Sequence, residues 1–462
     1  MKSRFSAVIV GLACLGAPAS ASGQAPQECL LDYESPTGNT RTTALQLPSG
    51  RYNIFQGGGV IYRCRGQDNT IIADSSEYYG DQSVLYLIGN VHYRETRAKV
   101  NSDRMTYYQL EDRLRAEGNV NVVLQSGTTM RGPVVDYHRA TASRPLAKAV
   151  ATGRPTMRLV EKTSSGQPGQ PVNVVANQIV SEGENLVFAS GSVEITRPDV
   201  LAKGDSAFLD SRREFARLMR SPSVESKGER PFTLRGGVID LFSKDQVLER
   251  VVATPDGHAL SQDLELVADS MDLRLKNDKL EQVIAWGKKR ARAISPEREI
   301  VADSIHVIMP GQRLREVRAV RNAYASSIPD TAHVVSTERD WMRGDTIIAE
   351  FDSVAQNDTT SKPQPRRIVA TGNATSYHQV AGNTRIRTLP NINYVKGKAI
   401  TVLFANREVA RVEVFEQASG VYIEPSLAGA PATPAAGTTN PVAGRATPPP
   451  ATAPAERIRR IQ

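Results

Sequence analysis

Along most of the chain, apolar and polar residues alternate one for one. Met271, Leu273 and Leu275 interleave with Asp272, Arg274 and Lys276, and Val412 and Val414 with Arg411 and Glu413. The same period runs through Leu85 and Leu87, Val91 and Tyr93, Val120, Val122 and Leu124, Val193 and Ile195, and Val402 and Phe404. A two-residue period puts successive side chains on opposite faces of an extended backbone, so each stretch predicts a strand with one apolar and one wet face. Outside Phe5 to Leu15, no stretch combines a helical period with capping residues. The fold class is all-β.

The strands come in a repeat. A short apolar-to-acidic step recurs ahead of a strand, at Ile72-Ala73-Asp74-Ser75, Asn101-Ser102-Asp103, Ala202-Lys203-Gly204-Asp205-Ser206, Val267-Ala268-Asp269-Ser270, Val301-Ala302-Asp303-Ser304 and Arg343-Gly344-Asp345-Thr346. A glycine-type turn then opens a further strand, at Gly89-Asn90-Val91, Gly118-Asn119-Val120, Gly191-Ser192-Val193 and Gly372-Asn373-Ala374, while Arg321-Asn322-Ala323 takes the same place without a glycine. Degenerate copies from Arg131-Gly132-Pro133 and Arg235-Gly236-Gly237 fill the gaps, so the array runs from Arg51 to Glu424 in about ten units of roughly 25 to 40 residues. Glycine accepts a positive φ, and asparagine is among the few others that tolerate one, which makes these steps hinges between sheets. The aspartate is expected to accept hydrogen bonds from nearby backbone amides at a strand-opening corner. An acid repeated in every unit is structural rather than catalytic.

A unit of two short strands cannot bury its apolar face alone, so units must stack and their apolar faces must merge into one interior. Two facing antiparallel sheets with that interior between them form a sandwich, a jelly roll or an open V. At about 4.8 Å per strand, some twenty strands shared by two sheets give a body on the order of 50 Å long. The register of the turns picks out Leu85, Leu87, Val91, Tyr93, Val120, Val122, Leu124, Val193, Ile195, Met271, Leu273, Leu275, Val402, Phe404, Val412 and Val414 as its lining. These are mainly aliphatic, which leaves room for an apolar groove able to shield acyl chains. Packed solid, the same residues are the core of a structural or adhesive repeat protein.

The ends and the charge refine this picture. Residues 1–21 read as a secretory signal, with Lys2 and Arg4 as its positive end, Phe5 to Leu15 as its apolar stretch and Ala19-Ser20-Ala21 as its cleavage site. The apolar run is well short of the roughly 20 residues that span a bilayer, and Gly11-Leu12-Ala13 before Cys14 fits a lipidation site poorly. Residues 22–50 form an N-terminal extension with little strand pattern, 51–424 the repeat, and 425–462 a Pro- and Ala-rich tail expected to be disordered. Export leaves Cys29 and Cys64 as an even pair in an oxidising compartment, where a disulfide between them is the expectation and two free buried thiols the alternative. The formal charge of +8 is spread along strands where Lys and Arg alternate with Asp and Glu, without the basic stripe of a nucleic-acid binder. Lys288-Lys289-Arg290 with Arg292 is the densest basic cluster, suited to anionic groups at a groove rim.

Nothing in the sequence invites catalysis. The six histidines, His92, His138, His258, His306, His333 and His378, have no metal-ligand spacing. There is no Gly-x-Ser-x-Gly elbow, phosphate-binding glycine loop or Cys-x-x-Cys pair, and Gly57-Gly58-Gly59, between two strand-like runs, predicts a hairpin turn. The expectation is a protein that is not an enzyme and uses no cofactor or metal.

The Ala-Asp-Ser and Gly-Asn-Val steps, with apolar alternation on both sides, make Thr70 to Gln125, Val172 to Arg197, Asp263 to Ala291, Glu299 to Ala325 and Val395 to Tyr422 resemble the OstA-like family of lipopolysaccharide-transport proteins. The resemblance implies a periplasmic jelly roll or folded taco whose groove carries lipopolysaccharide or another envelope lipid toward the outer membrane, with association to that membrane as a further expectation. It implies partners as well: other OstA-like proteins joined through terminal strand pairing, an inner-membrane extractor and an outer-membrane barrel acceptor. The chain has more repeats than the small soluble bridge of that family, and neither the transmembrane helix of its inner-membrane member nor the large barrel of its outer-membrane member.

Overall fold

The computed structural model describes residues 31–36, 40–141, 143–160, 169–227, 231–261, 264–277, 279–352, 363–382, 386–405, 408–425 and 459–461. It is all-β: 31 strands join through antiparallel pairings into one sheet. Among the described residues the only helical pieces are single 3-10 turns at Gln109–Glu111 and Pro310–Gln312. No helix there is long and apolar enough to cross a membrane.

Successive strands are hairpin neighbours, and each long strand folds across its own middle. In Val84–Arg94 the register breaks after Ile88 to both neighbours, resuming at Val91 on one side and His92 on the other. Equivalent breaks fall at Glu117/Val120, Ser190/Val193, Trp286/Ala291, Val320/Ala323 and Thr371/Ala374. The breaks line up from strand to strand and divide the sheet lengthwise into two half-ladders, one holding Leu85 and Leu87, the other Val91 and Tyr93. In the middle of the chain the halves separate into distinct strands. Phe215–Met219 and Ser223–Ser226 pair with opposite ends of Val200–Asp210, Ser270–Lys276 and Leu264–Ala268 with opposite ends of Lys279–Ile294, and the pairings close a ring of 10 strands.

Two kinds of strand alternate along this apex line. On one kind, two consecutive residues are left-handed: Gly89 (φ 80°) with Asn90 (45°), Gly118 (74°) with Asn119 (46°), Gly372 (78°) with Asn373 (51°). The pair keeps the inward phase, so that Leu87 and Val91, or Ala116 and Val120, are all buried. On the other kind, which carries the aspartate, the inward phase slips by one residue: Ala73 is inward before Asp74 and Ser76 after it, Ala268 before Asp269 and Met271 after it, Ala302 before Asp303 and Ile305 after it. The residue ahead of the aspartate points into the apex, where the halves converge, and it is accordingly alanine, serine or glycine. The aspartate points out and meets the left-handed pair next door. Asn90 Nδ2 donates to Asp74 Oδ2 at 2.8 Å, and Asn119 Nδ2 to Asp103 Oδ2 at 2.8 Å.

This corrects three expectations. The Gly-Asn steps lie within strands rather than opening them. Asp74 and Asp103 bond to the neighbouring asparagine side chain and Asp205 to Arg220 Nη1 at 3.1 Å, although Asp269 does accept from the Lys289 amide at 2.8 Å. Gly57-Gly58-Gly59 is no hairpin: it lies inside Tyr52–Cys64 at the same apex, with Gly58 and Gly59 at φ 92° and 96°. Arg220-Ser221 and Glu416-Gln417 adopt the left-handed pair with neither glycine nor asparagine, so no motif announces them.

Two short strands, Leu31–Glu34 and Arg41–Gln46, pair with the two ends of Tyr52–Cys64 ahead of Arg51. Arg41–Gln46 is exposed throughout, hence its lack of alternation. Cys64 is disulfide-bonded. Cys29, the signal stretch and most of the tail lie outside the described residues, but Arg459–Ile461 pairs with Ser419–Ile423.

A Cβ on Gly89 would overlap the Asp74 carboxylate, whereas one on Gly50, also left-handed (φ 81°), would meet nothing within 4 Å. Gly50→Ala should therefore cost only the left-handed penalty, about 1–2 kcal/mol, and Gly89→Ala about 3 kcal/mol once the overlap is added. Urea unfolding of both variants checks this; equal losses would mean that the Asp74 contact does not set the apex.

Candidate functional site

All the lining residues chosen from the sequence point inward. Leu85, Leu87, Val91, Tyr93, Val120, Val122, Val193, Ile195, Met271, Leu273 and Val402 are buried in a single apolar cluster that runs from Val60 to Val402. Leu124, Leu275, Phe404, Val412 and Val414 are half-buried against it. Ile71, Met105, Tyr107 and Leu114 belong to the same cluster. On the aspartate strands the one-residue slip breaks the simple alternation, which hid Ile71, Met105 and Tyr107 from a periodicity reading. The halves face one another across this interior: the Tyr93 and Tyr137 ring centroids are 6.3 Å apart, and the Tyr62 hydroxyl reaches Gln56 and Ser76 of the opposite half. Leu87 is 1% exposed and Met271 0%, so side chains of the two halves fill the space between them.

The two long sides of the interior are closed differently. At the apex the backbone itself crosses from one half to the other. On the far side the hairpin turns of the two halves meet, and among the described residues no backbone hydrogen bond joins a turn of one half to a turn of the other. Among the described residues, side chains close this seam.

The best-built closure centres on Arg139. From a turn of the Leu85 half, its Nη2 donates to Gln67 Oε1 of the Tyr93 half at 2.7 Å, and its Nη1 to Asp112 Oδ1 at 3.0 Å. Its Nε lies 3.5 Å from Glu95 Oε2, an ion pair too long and misaligned for a hydrogen bond. Glu95 also accepts from Tyr93 at 2.7 Å and from Tyr137 across the seam, and Asp112 accepts from Tyr107 at 2.9 Å. Arg139 is 7% exposed. Burial pulls its guanidinium down, but Tyr93, Asp112 and Glu95 outweigh this and hold it above its usual value. Burial pushes the Tyr93, Tyr107 and Tyr137 hydroxyls up, and the neighbouring carboxylates push them further. The three tyrosines place an apolar ring in the core and a polar tip in the seam. That was the available sequence signal for the rim; the arginine, on a turn, had none.

A second closure lies further along. Arg197, on a turn of the Tyr93 half, donates to the Gln246 carbonyl at 2.5 Å and to Ser243 Oγ at 3.4 Å, both of the Leu85 half, while Asp199 holds its Nε at 3.1 Å. Between the two closures a cleft of about 730 Å³ straddles the seam, with Arg97 and Leu124 on one side and Leu146, Ala149, Leu186 and Asp210 on the other. Lys288-Lys289-Arg290 is not on this rim: it sits at the apex, where Lys289 pairs with Asp256 at 3.2 Å. Among the described residues no group of His, Cys, Asp and Glu is placed to hold a metal.

No family model and no curated protein matches the chain. Eight chains of solved structures do. One is LptH, the LptA-homologous periplasmic component of the lipopolysaccharide transport device of Pseudomonas aeruginosa, with 15% identity over 27% of this chain and 94% of that one, at a TM-score of 0.24.

Arg139→Met should destabilise the fold by about 3 kcal/mol, because Glu95 and Asp112 lose their shared buried cation; chemical denaturation measures it, and a loss near zero would mean the seam closes without Arg139. A raised tyrosine value in the folded state means that the open chain releases those protons more readily. The associated stability is whole below the usual tyrosine value of about 10 and is lost as pH rises above it. In an alkaline titration, part of the tyrosinate absorbance should accordingly emerge only together with unfolding.

Proposed function

We propose that the chain is a non-catalytic lipid bridge of the cell envelope, a folded β-taco whose interior shields the acyl chains of lipopolysaccharide or a related lipid on the way to the outer membrane. The observation that carries this reading is the unequal closure of the interior, with continuous backbone at the apex and, among the described residues, side chains alone at the seam. A body hinged on one side can admit chains between its halves without breaking a ladder hydrogen bond. Acyl chains entering the interior gain about 25 cal/mol for each Å² of apolar surface removed from water, which opposes the cost of parting the halves. The resemblance of the Ala-Asp-Ser and Gly-Asn-Val units to the OstA-like family supports the same reading and its periplasmic setting. Glu408–Phe415, the outermost strand of the Leu85 half at its C-terminal end, pairs among the described residues only with Asn391–Ala405, and its free edge is a template for adding a strand of another OstA-like protein or of a barrel acceptor.

The near-complete burial of Leu87, Val122 and Met271 favours a second reading, a structural repeat protein with a permanently closed core. Photoreactive side chains separate the two. At the half-buried Leu124, Leu275 and Phe404 they should capture envelope lipid in the cell, while the same group at the outward Arg274 should not. Equal capture on both faces, or none at the inward positions, would leave the closed core as the better account.

A further inference from the structure

We infer that an acyl chain reaches the interior sideways, through the seam between the Arg139 and Arg197 closures, and that Gln246 binds the carbonyl group by which such a chain is attached. The inference rests on the lipid-carrying reading and adds a place and a chemistry to it. The cleft of about 730 Å³ is within the roughly 300–1,000 Å³ that suits a small-molecule ligand. Its wall continues into the core: Tyr137 and Ala149 belong to the central cluster, and Leu124 and Ala147 pack against it.

A threshold separates the cleft from a second space. Asp210 lines both the cleft and an apolar void of about 80 Å³ whose walls include Ile195, Leu209, Leu218, Leu241 and Leu248. Asp210 is tied to the backbone amides of Arg212 and Arg213 at 3.1 and 3.3 Å, so it fixes the edge of the opening. The void lies beneath the Arg197 closure, and Gln246 lines it. The amide oxygen and nitrogen of Gln246 are both buried and have no hydrogen-bond partner among the described residues. A buried amide without partners is costly, and beside an apolar void a ligand that combines a hydrocarbon chain with a carbonyl satisfies its nitrogen. An ester or amide-linked acyl chain has both: its carbonyl oxygen accepts from Gln246 Nε2 while its chain occupies the void and extends into the core. Leu146, at the mouth of the cleft, is 50% exposed and stands where such a chain must pass.

The test uses the full chain with Leu146→Cys and a fluorescent long-chain acyl ester, followed by the rise in fluorescence on uptake. Uptake is measured before and after the thiol reacts with a bulky maleimide, so that folding is the same in both arms. Blocking the mouth should slow uptake about tenfold or more and leave the final level unchanged. An unchanged rate would overturn the sideways route while leaving the lipid-carrying reading intact. No uptake by the unlabelled chain would overturn both. Gln246→Leu examines the chemistry separately: retention of the ester should weaken about tenfold and retention of the matching alkane should not. Equal weakening of the two would remove Gln246 from the proposal.

Discussion

An L-residue in the left-handed conformation crowds its own Cβ against the next carbonyl, at about 1–2 kcal/mol, and two in succession are rarer still. This chain adopts the pair again and again on one line, and the line decides the rest of the architecture. Each pair folds its strand in the middle, and at Asn90 and Asn119 the fold is held by an outward aspartate of the adjoining strand, Asp74 and Asp103. Because all the folds coincide, the inner faces of the two half-ladders meet over their whole length and one apolar cluster results. A fold displaced by a residue would turn half a strand inside out.

The apex also creates the asymmetry on which the functional reading depends. One side of the interior cannot open without breaking chain, whereas the other is closed by a few polar side chains on hairpin turns. Arg139 is the clearest of them, since it gathers Gln67, Glu95 and Asp112 around a single guanidinium. Buried ion pairs contribute less to stability than their contacts suggest, because desolvating the charges offsets much of the attraction. A seam closed in this way is specific in geometry yet openable, unlike one closed by a backbone ladder.

Much of the fold was legible in the sequence because both of its rules leave marks. Alternation at Leu85, Leu87, Val91 and Tyr93 stays in phase through the Gly-Asn pair, so the lining on those strands could be read directly. The aspartate strands were harder. Their phase slips at the apex, which hid Met105 and Tyr107, and the small residue ahead of each aspartate looked like part of a loose turn motif when it marks crowding where the halves converge. Left-handed pairs such as Arg220-Ser221 follow from their neighbours rather than from their own residues. The seam was the least legible part. Arg139, Glu95 and Gln67 sit on turns far apart in the chain, and only the assembled fold brings them together.

The two kinds of strand have a consequence for how such a molecule can change in size. A left-handed strand fits against an aspartate strand, and two of one kind side by side would set either two bulges or two carboxylates against each other. Growth or shortening by a single strand is therefore excluded. The body can lengthen only by inserting a complete pair, in steps of about 10 Å, so its reach across the space it occupies is quantised, and duplication of one hairpin is the smallest event that alters it.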